Sequence, residues 1–173
     1  SRLSTEKLHE VFLNALGEDV LSASPTSLKP LEVDLNPHLI SRIRLYIYNM
    51  TNPPGGRTVG ELKIQLIVPG QARGERGSFD ESDGRTILLV GYHKELDVFG
   101  LWDAGLYTDF SYSRNVQMYS ETVISAFSGK IAERERLLTS VMGREIQIAV
   151  NSKNLRDGII RRKKRTLERI LNS

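Results

Sequence analysis

Two stretches of the chain hold side chains whose types and spacing could do chemistry. The first is the triplet Glu61-Leu62-Lys63, inside the apolar-polar alternation ELKIQLIV. Residues two apart on a strand share a face. An acid and a lysine so placed are what metal-dependent nucleases use to hold magnesium and to polarise the attacking water or the phosphate. Such a centre needs a further Asp, usually from a preceding strand, and the nearest upstream is Asp34, in a Pro-flanked connection. The same spacing arises on the polar face of any amphipathic strand, so the triplet supports a magnesium-dependent nuclease only as an alternative. The second stretch runs from Asp97 to Tyr119, DVFGLWDAGLYTDFSYSRNVQMY, and holds six of the twelve aromatics beside Asp97, Asp103 and Asp109. It also carries Arg114, Asn115 and Gln117. Aromatic faces stack on nucleobases, a carboxylate accepts from an exocyclic amine, and Arg, Asn and Gln read base edges or phosphates. This is the inventory of a base-reading pocket, although Phe99, Trp102 and Phe110 serve equally as core and Asp103 as a turn former.

Other chemistries find no support. His9, His38 and His93 are scattered, with no second imidazole at i+3 or i+4, so no zinc or di-histidine site is expected and only ligation by carboxylates stays open. With no cysteine, disulfides, thiol catalysis and Cys-bound zinc are excluded. PPGGRTVGEL places its glycines before a strand rather than between a strand and a helix, and no G-K-[ST] follows a glycine-rich loop, which argues against nucleotide hydrolysis.

The elements that must position these residues follow from periodicity. Leu8, Val11, Phe12, Ala15 and Leu16 lie at helical spacing behind Ser4 or Thr5 and before Gly17. A Pro-rich connection follows, in which Leu31, Val33 and Leu35 allow a short edge strand. Period-two alternation marks RIRLYIY and ELKIQLIV as two strands joined by the loop TNPPGGRT; RTILLVGY and DVFGLWDA read as two more strands around the turn HKEL. SETVISAFSGK reads as a helix, REIQIAV as a strand and NLRDGIIRRKKRTLERILNS as a C-terminal helix. Strands that follow one another without intervening helices predict an α+β fold, a strongly curved, mainly antiparallel sheet or open barrel of about five to seven strands with flanking helices. At 173 residues a single domain is expected, divided into residues 1–40, a sheet core over 41–150 and a basic helix over 151–173.

The net charge of +3 is unevenly placed. Residues 151–173 carry eight Lys/Arg, including Arg161, Arg162, Lys163, Lys164 and Arg165, against Asp157 and Glu168. That is +6 locally, and −3 over the rest. A basic end on a mildly acidic domain attracts polyanions, since Lys and Arg on phosphates release condensed counterions, though a solvated helix face or a linker has the same composition. Arg57, Arg73 and Arg76 sit in glycine-rich loops where backbone can approach a phosphate. No apolar run approaches a membrane span and no signal peptide opens the chain, so a cytoplasmic protein without a membrane partner is expected. The chain starts at Ser1, which suits a fragment of a larger enzyme as well as removal of an initiating Met.

RIRLYIYNMTNPPGGRTVGELKIQLIVPG, GRTILLVGYHKELDVFGLWDA and FSYSRNVQM together resemble the DNA-recognition region of bacterial restriction endonucleases, in particular the SRA-like domains of the modification-dependent MspJI and AspBHI type. The likeness lies in a strand, a Pro/Gly/Arg loop, a second strand, a hairpin leading to a strand that ends in Asp, and a Ser-rich loop. It implies an SRA/PUA-like sheet laid against double-stranded DNA, methylated or not, with a modified cytosine flipped into a pocket of aromatic walls and an acid. Asp103, Trp102, Tyr46 and Tyr48 would form that pocket, while Ser113, Arg114, Asn115 and Gln117 join the loop arginines and Arg161, Arg162, Lys163 and Lys164 in binding DNA. An EcoRII-type pseudobarrel, reading intact duplex in the major groove, shares the composition. Either implies a specificity module of a type II or type IV restriction enzyme, needing no cofactor of its own, without catalysis in this chain and with a nuclease domain or subunit as partner. Magnesium enters only with the nuclease alternative.

Overall fold

A computed structural model describes residues 2–52, 60–138 and 143–173. Helix α1 (Thr5–Leu16) starts where the Ser4 hydroxyl accepts from the Lys7 N–H at 3.2 Å and ends at Gly17, whose φ of 55° suits a residue without a Cβ. It buries Leu8, Phe12 and Leu16. Nine strands follow among the described residues: β1 (Val20–Ala23), β2 (Leu31–Leu35), β3 (Arg42–Asn49), β4 (Glu61–Leu66), β5 (Thr86–His93), β6 (Val98–Trp102), β7 (Arg114–Tyr119), β8 (Ala132–Leu138) and β9 (Gly143–Asn151). Helix α2 (Ser120–Phe127) lies between β7 and β8, and α3 (Leu155–Leu171) follows β9.

Seven strands form one mixed sheet in the order β1-β2-β3-β5-β6-β9-β8, and β4 pairs with β7 in a separate two-stranded ribbon. All pairs are antiparallel except β3 with β5. The α+β class and the mainly antiparallel pairing are as expected; the sheet is not closed into a barrel. β4 leaves the sheet, and β5 stands beside β3, as a parallel pair joined by a crossover that contains β4.

The sheet is apolar on both faces. Side chains at Leu45, Leu88, Val90, Phe99, Leu101, Ile148 and Val150 pack under α1 and α3, and Phe12 meets Phe99 edge-on at 6.3 Å between ring centres. The opposite face, with Tyr46, Leu89, Val98, Trp102 and Ala149, takes the ribbon and α2. Three glycines set how closely the layers meet. A Cβ on Gly158 of α3 would lie 2.8 Å from Val150, one on Gly91 would lie 2.8 Å from Ile64 of the ribbon, and one on Gly100 would lie 2.7 Å from Met50.

Candidate nucleic-acid interface

The ribbon has two unlike faces because its residues alternate. Leu62, Ile64, Leu66, Val116 and Met118 point to the sheet and are buried. Glu61, Lys63 and Gln65 therefore share the outer face with Asn115, Gln117 and Tyr119. The register sets Glu61 opposite Tyr119, Lys63 opposite Gln117 and Gln65 opposite Asn115. Polar groups of the sheet fix the ribbon from beneath: Trp102 Nε1 and Gln147 Nε2 both donate to the Gln117 carbonyl, at 3.2 and 2.9 Å. From β8, Arg136 Nη2 donates to Gln117 Oε1 at 3.0 Å and its other amino group pairs with Glu61 at 2.8 Å. The Arg134 and Arg136 guanidinium groups lie 4.3 and 4.9 Å from the Tyr119 ring centre, within cation–π range. Lys63 Nζ reaches Asn115 Oδ1 at 3.5 Å.

Glu61 and Lys63 thus lie side by side, as their spacing requires, with the Glu61 carboxylate held by Arg136. Asp34 is on β2 of the large sheet, paired with Arg85 at 3.0 Å. Among the described residues no three His, Cys, Asp or Glu side chains are grouped to hold a metal ion.

The four residues read as a base pocket are not gathered into one cavity. Trp102 and Asp103 line a cavity of about 420 Å³ beneath α3, and Tyr46 and Tyr48 line another of about 300 Å³ beside His9, Lys29 and Pro30. Trp102 is 1% exposed and Tyr46 5%. The Tyr46 hydroxyl accepts from the Asp80 N–H at 2.9 Å, and the Tyr48 hydroxyl donates to the Ile67 carbonyl at 3.1 Å. Asp103, also buried, accepts from Arg169 Nε and Nη2 at 2.5 and 3.0 Å, with Arg162 at 3.9 Å. Its N–H donates to Glu145 Oε2 at 2.9 Å, while the Tyr107 hydroxyl and Gln147 Nε2 donate to Oε1 at 2.5 and 3.1 Å. Burial pushes the Glu145 carboxyl above its ordinary range, against the pull of these three donors. Asp97 and Asp109, the other acids of the aromatic segment, accept from Tyr92 and Arg76.

The cations are also largely engaged. Arg76 is paired with Asp109 at 3.1 Å, Arg114 lies 5.2 Å from the Tyr107 ring centre, and Arg73 is exposed on its loop. Ser113 holds a φ of 60° at the turn into β7. Arg57 lies outside the described residues. On α3, Arg162 is buried and donates to the carbonyls of Leu101 and Ile146, Arg161 and Arg165 pair with Glu133 at 3.3 and 2.8 Å, and Lys163 donates to the Leu39 carbonyl at 3.2 Å. Lys164 is exposed. The basic end of the sequence is thus in large part the cement between α3, β8 and the sheet.

Residues 41–159 match the family model described as methylase-associated X1. The chain belongs to that family. No curated protein and no solved structure shows significant similarity to it. The methylase-associated X1 segment runs from β3 into the first turn of α3, so it contains the whole ribbon and its supports Trp102, Arg136 and Gln147. Within this segment three residues on or beside the outer face escape a sequence reading. Gln65 lies two positions beyond Lys63 on a strand whose alternation was plain, and that spacing was the available signal. Arg134 and Arg136 stand in AERERLL, where alternating charges resemble a helix or loop until β9 supplies a partner.

Proposed function

We propose that this domain reads duplex DNA on behalf of a restriction-modification system, through the outer face of the β4–β7 ribbon. One observation carries the reading. A two-stranded antiparallel ribbon rests its apolar face on the sheet and turns Lys63, Gln65, Asn115 and Gln117 outward, beside Arg134 and Arg136. The major groove admits a two-stranded β-ribbon, and amide and ammonium groups are suited to its base edges. Exposed Arg73 is a candidate for a phosphate contact, which positions a protein without reading sequence. The family name, methylase-associated, supports a link to modification of DNA, the reaction that marks sites in restriction-modification. A methylase or nuclease chain is then the expected partner, and reading base edges needs no cofactor. The proposal leaves aside a flipped modified cytosine, because among the described residues Trp102 and Asp103 line one cavity and Tyr46 and Tyr48 another.

Fluorescence anisotropy of the whole chain with labelled duplexes tests this. Wild type should bind with a log–log salt slope of about −0.9 per phosphate contacted. The combined variant Lys63→Ala/Gln65→Ala/Asn115→Ala/Gln117→Ala should keep its circular dichroism and lose preference among duplexes. Wild type that binds no duplex, or a variant that discriminates as well as wild type, would overturn the proposal.

A further inference from the structure

We infer that the ribbon reads adenine, through the side-chain amides of Gln65, Asn115 and Gln117, and that methylation at adenine N6 therefore blocks its binding. The inference rests on the duplex-reading function above and goes further by naming the base. An amide presents an acceptor oxygen and a donor nitrogen in a fixed fork, the complement of the N6 donor and N7 acceptor that adenine shows in the major groove. Lysine instead complements the two acceptors of guanine. Three of the six outer-face positions of the ribbon are amides, and the register brings Gln65 directly opposite Asn115 and Gln117 opposite Lys63. Successive outward residues on a strand are about 6.8 Å apart, close to two base-pair steps of about 3.4 Å, so the two cross-strand pairs address positions two steps apart.

Gln117 is fixed in advance. Its carbonyl is held by Trp102 and Gln147, and its side-chain oxygen accepts from Arg136, itself tied to Glu61 and laid on Tyr119. An amide oxygen has a second lone pair, so this bond leaves room for an adenine N6–H. Gln65 has no side-chain hydrogen bond among the described residues. Watson–Crick pairing uses one N6 proton of adenine, so an N6-methyl group takes the place of the other, which faces the major groove. It removes the proton that the amide oxygen would accept and fills its position.

The test is a selection with the whole chain from a pool of duplexes with a randomised core, followed by binding to the selected duplex. A·T pairs should be enriched at one or more positions. Replacing that adenine with N6-methyladenine, or with 7-deazaadenine to remove the N7 acceptor, should weaken binding about five- to hundredfold. Gln65→Ala and Asn115→Ala should each relax the preference at one position while keeping affinity for the unselected pool. Gln65→Leu, which preserves bulk, separates lost hydrogen bonding from lost packing and should behave as Gln65→Ala does. Selected duplexes without an A·T preference, or bound equally well when N6-methylated, would overturn the adenine assignment and leave the duplex-reading proposal standing. Failure to bind any duplex would overturn both.

Discussion

Asp103 shows how a single carboxylate is committed by its neighbours. It is buried against Arg162 and receives two hydrogen bonds from Arg169, and its own N–H is bonded to Glu145. Removing one partner of a buried pair leaves the other charge uncompensated. Asp103→Ala should therefore cost about 3 kcal/mol of stability in urea denaturation, the lower part of the usual range because Arg169 keeps 29% of its side chain in solvent. The folded variant should retain the duplex affinity of wild type, since no ribbon side chain is touched. A stable variant that has lost DNA discrimination would instead restore Asp103 to the recognition site. In the sequence an Asp beside a Trp at the end of an apolar strand is legible, and so is its place in the fold. Its guanidinium partner lies on another element far along the chain, and nothing local announces it.

At the scale of elements, the contact between α3 and β8 is an acid clamp. Glu133 accepts from Arg165 Nε and Nη2 at 2.8 and 3.1 Å and pairs with Arg161, and these bonds, chiefly that to Arg165, hold its carboxyl below its ordinary value of 4.5. A carboxyl lowered on folding contributes stability that is present above 4.5 and lost as pH falls through the lowered value. Thermal unfolding of wild type should weaken over that acid interval, whereas Glu133→Gln should start less stable at neutral pH, by about 1 kcal/mol or less, and lack that part of the pH dependence. Equal acid sensitivity in both proteins would assign the transition to other groups. Glu145 works in the opposite sense, its raised carboxyl favouring the fold in acid and less so as pH climbs through that raised value. The strands beside this clamp were unevenly legible. β3 and β9 announce themselves by apolar alternation and β5 and β6 by unbroken apolar runs, but β8 buries little beyond Ala132 and four of its seven residues are charged, as an edge strand's can be. β7 was hidden because only Val116 and Met118 of its six residues are buried.

For the whole molecule, the decisive relation is that of the ribbon to the sheet on which it lies. The glycines beneath it are not equivalent. A Cβ on Gly91 would meet Ile64 Cγ2 at 2.8 Å and the Trp102 ring at 3.0 Å, whereas on Gly100 the obstructing atoms are the ends of Met50 and Met118. A branched side chain and an indole packed on both sides cannot yield, while methionine ends can turn aside. Gly91→Ala should thus cost about 1–3 kcal/mol and reduce duplex binding as the ribbon is lifted, and Gly100→Ala less than about 1 kcal/mol. Denaturation midpoints and anisotropy read both, and a reversed order would mean that the ribbon does not rest on Gly91. That layering was the least legible feature in the sequence, because nothing local in β4 tells that it leaves the sheet and that β5 stands beside β3 as a parallel partner. The order in which the chain is made gives the same layering another meaning. By Tyr119 both ribbon strands have been synthesised, yet a lone two-stranded ribbon is marginal in water, and Gln147, one of the two groups anchoring the Gln117 carbonyl, comes with β9, next to last of the elements. A nascent chain therefore has no settled outer ribbon face until β9 has joined the sheet; on the duplex-reading function proposed above, unfinished molecules would not compete with finished ones for DNA.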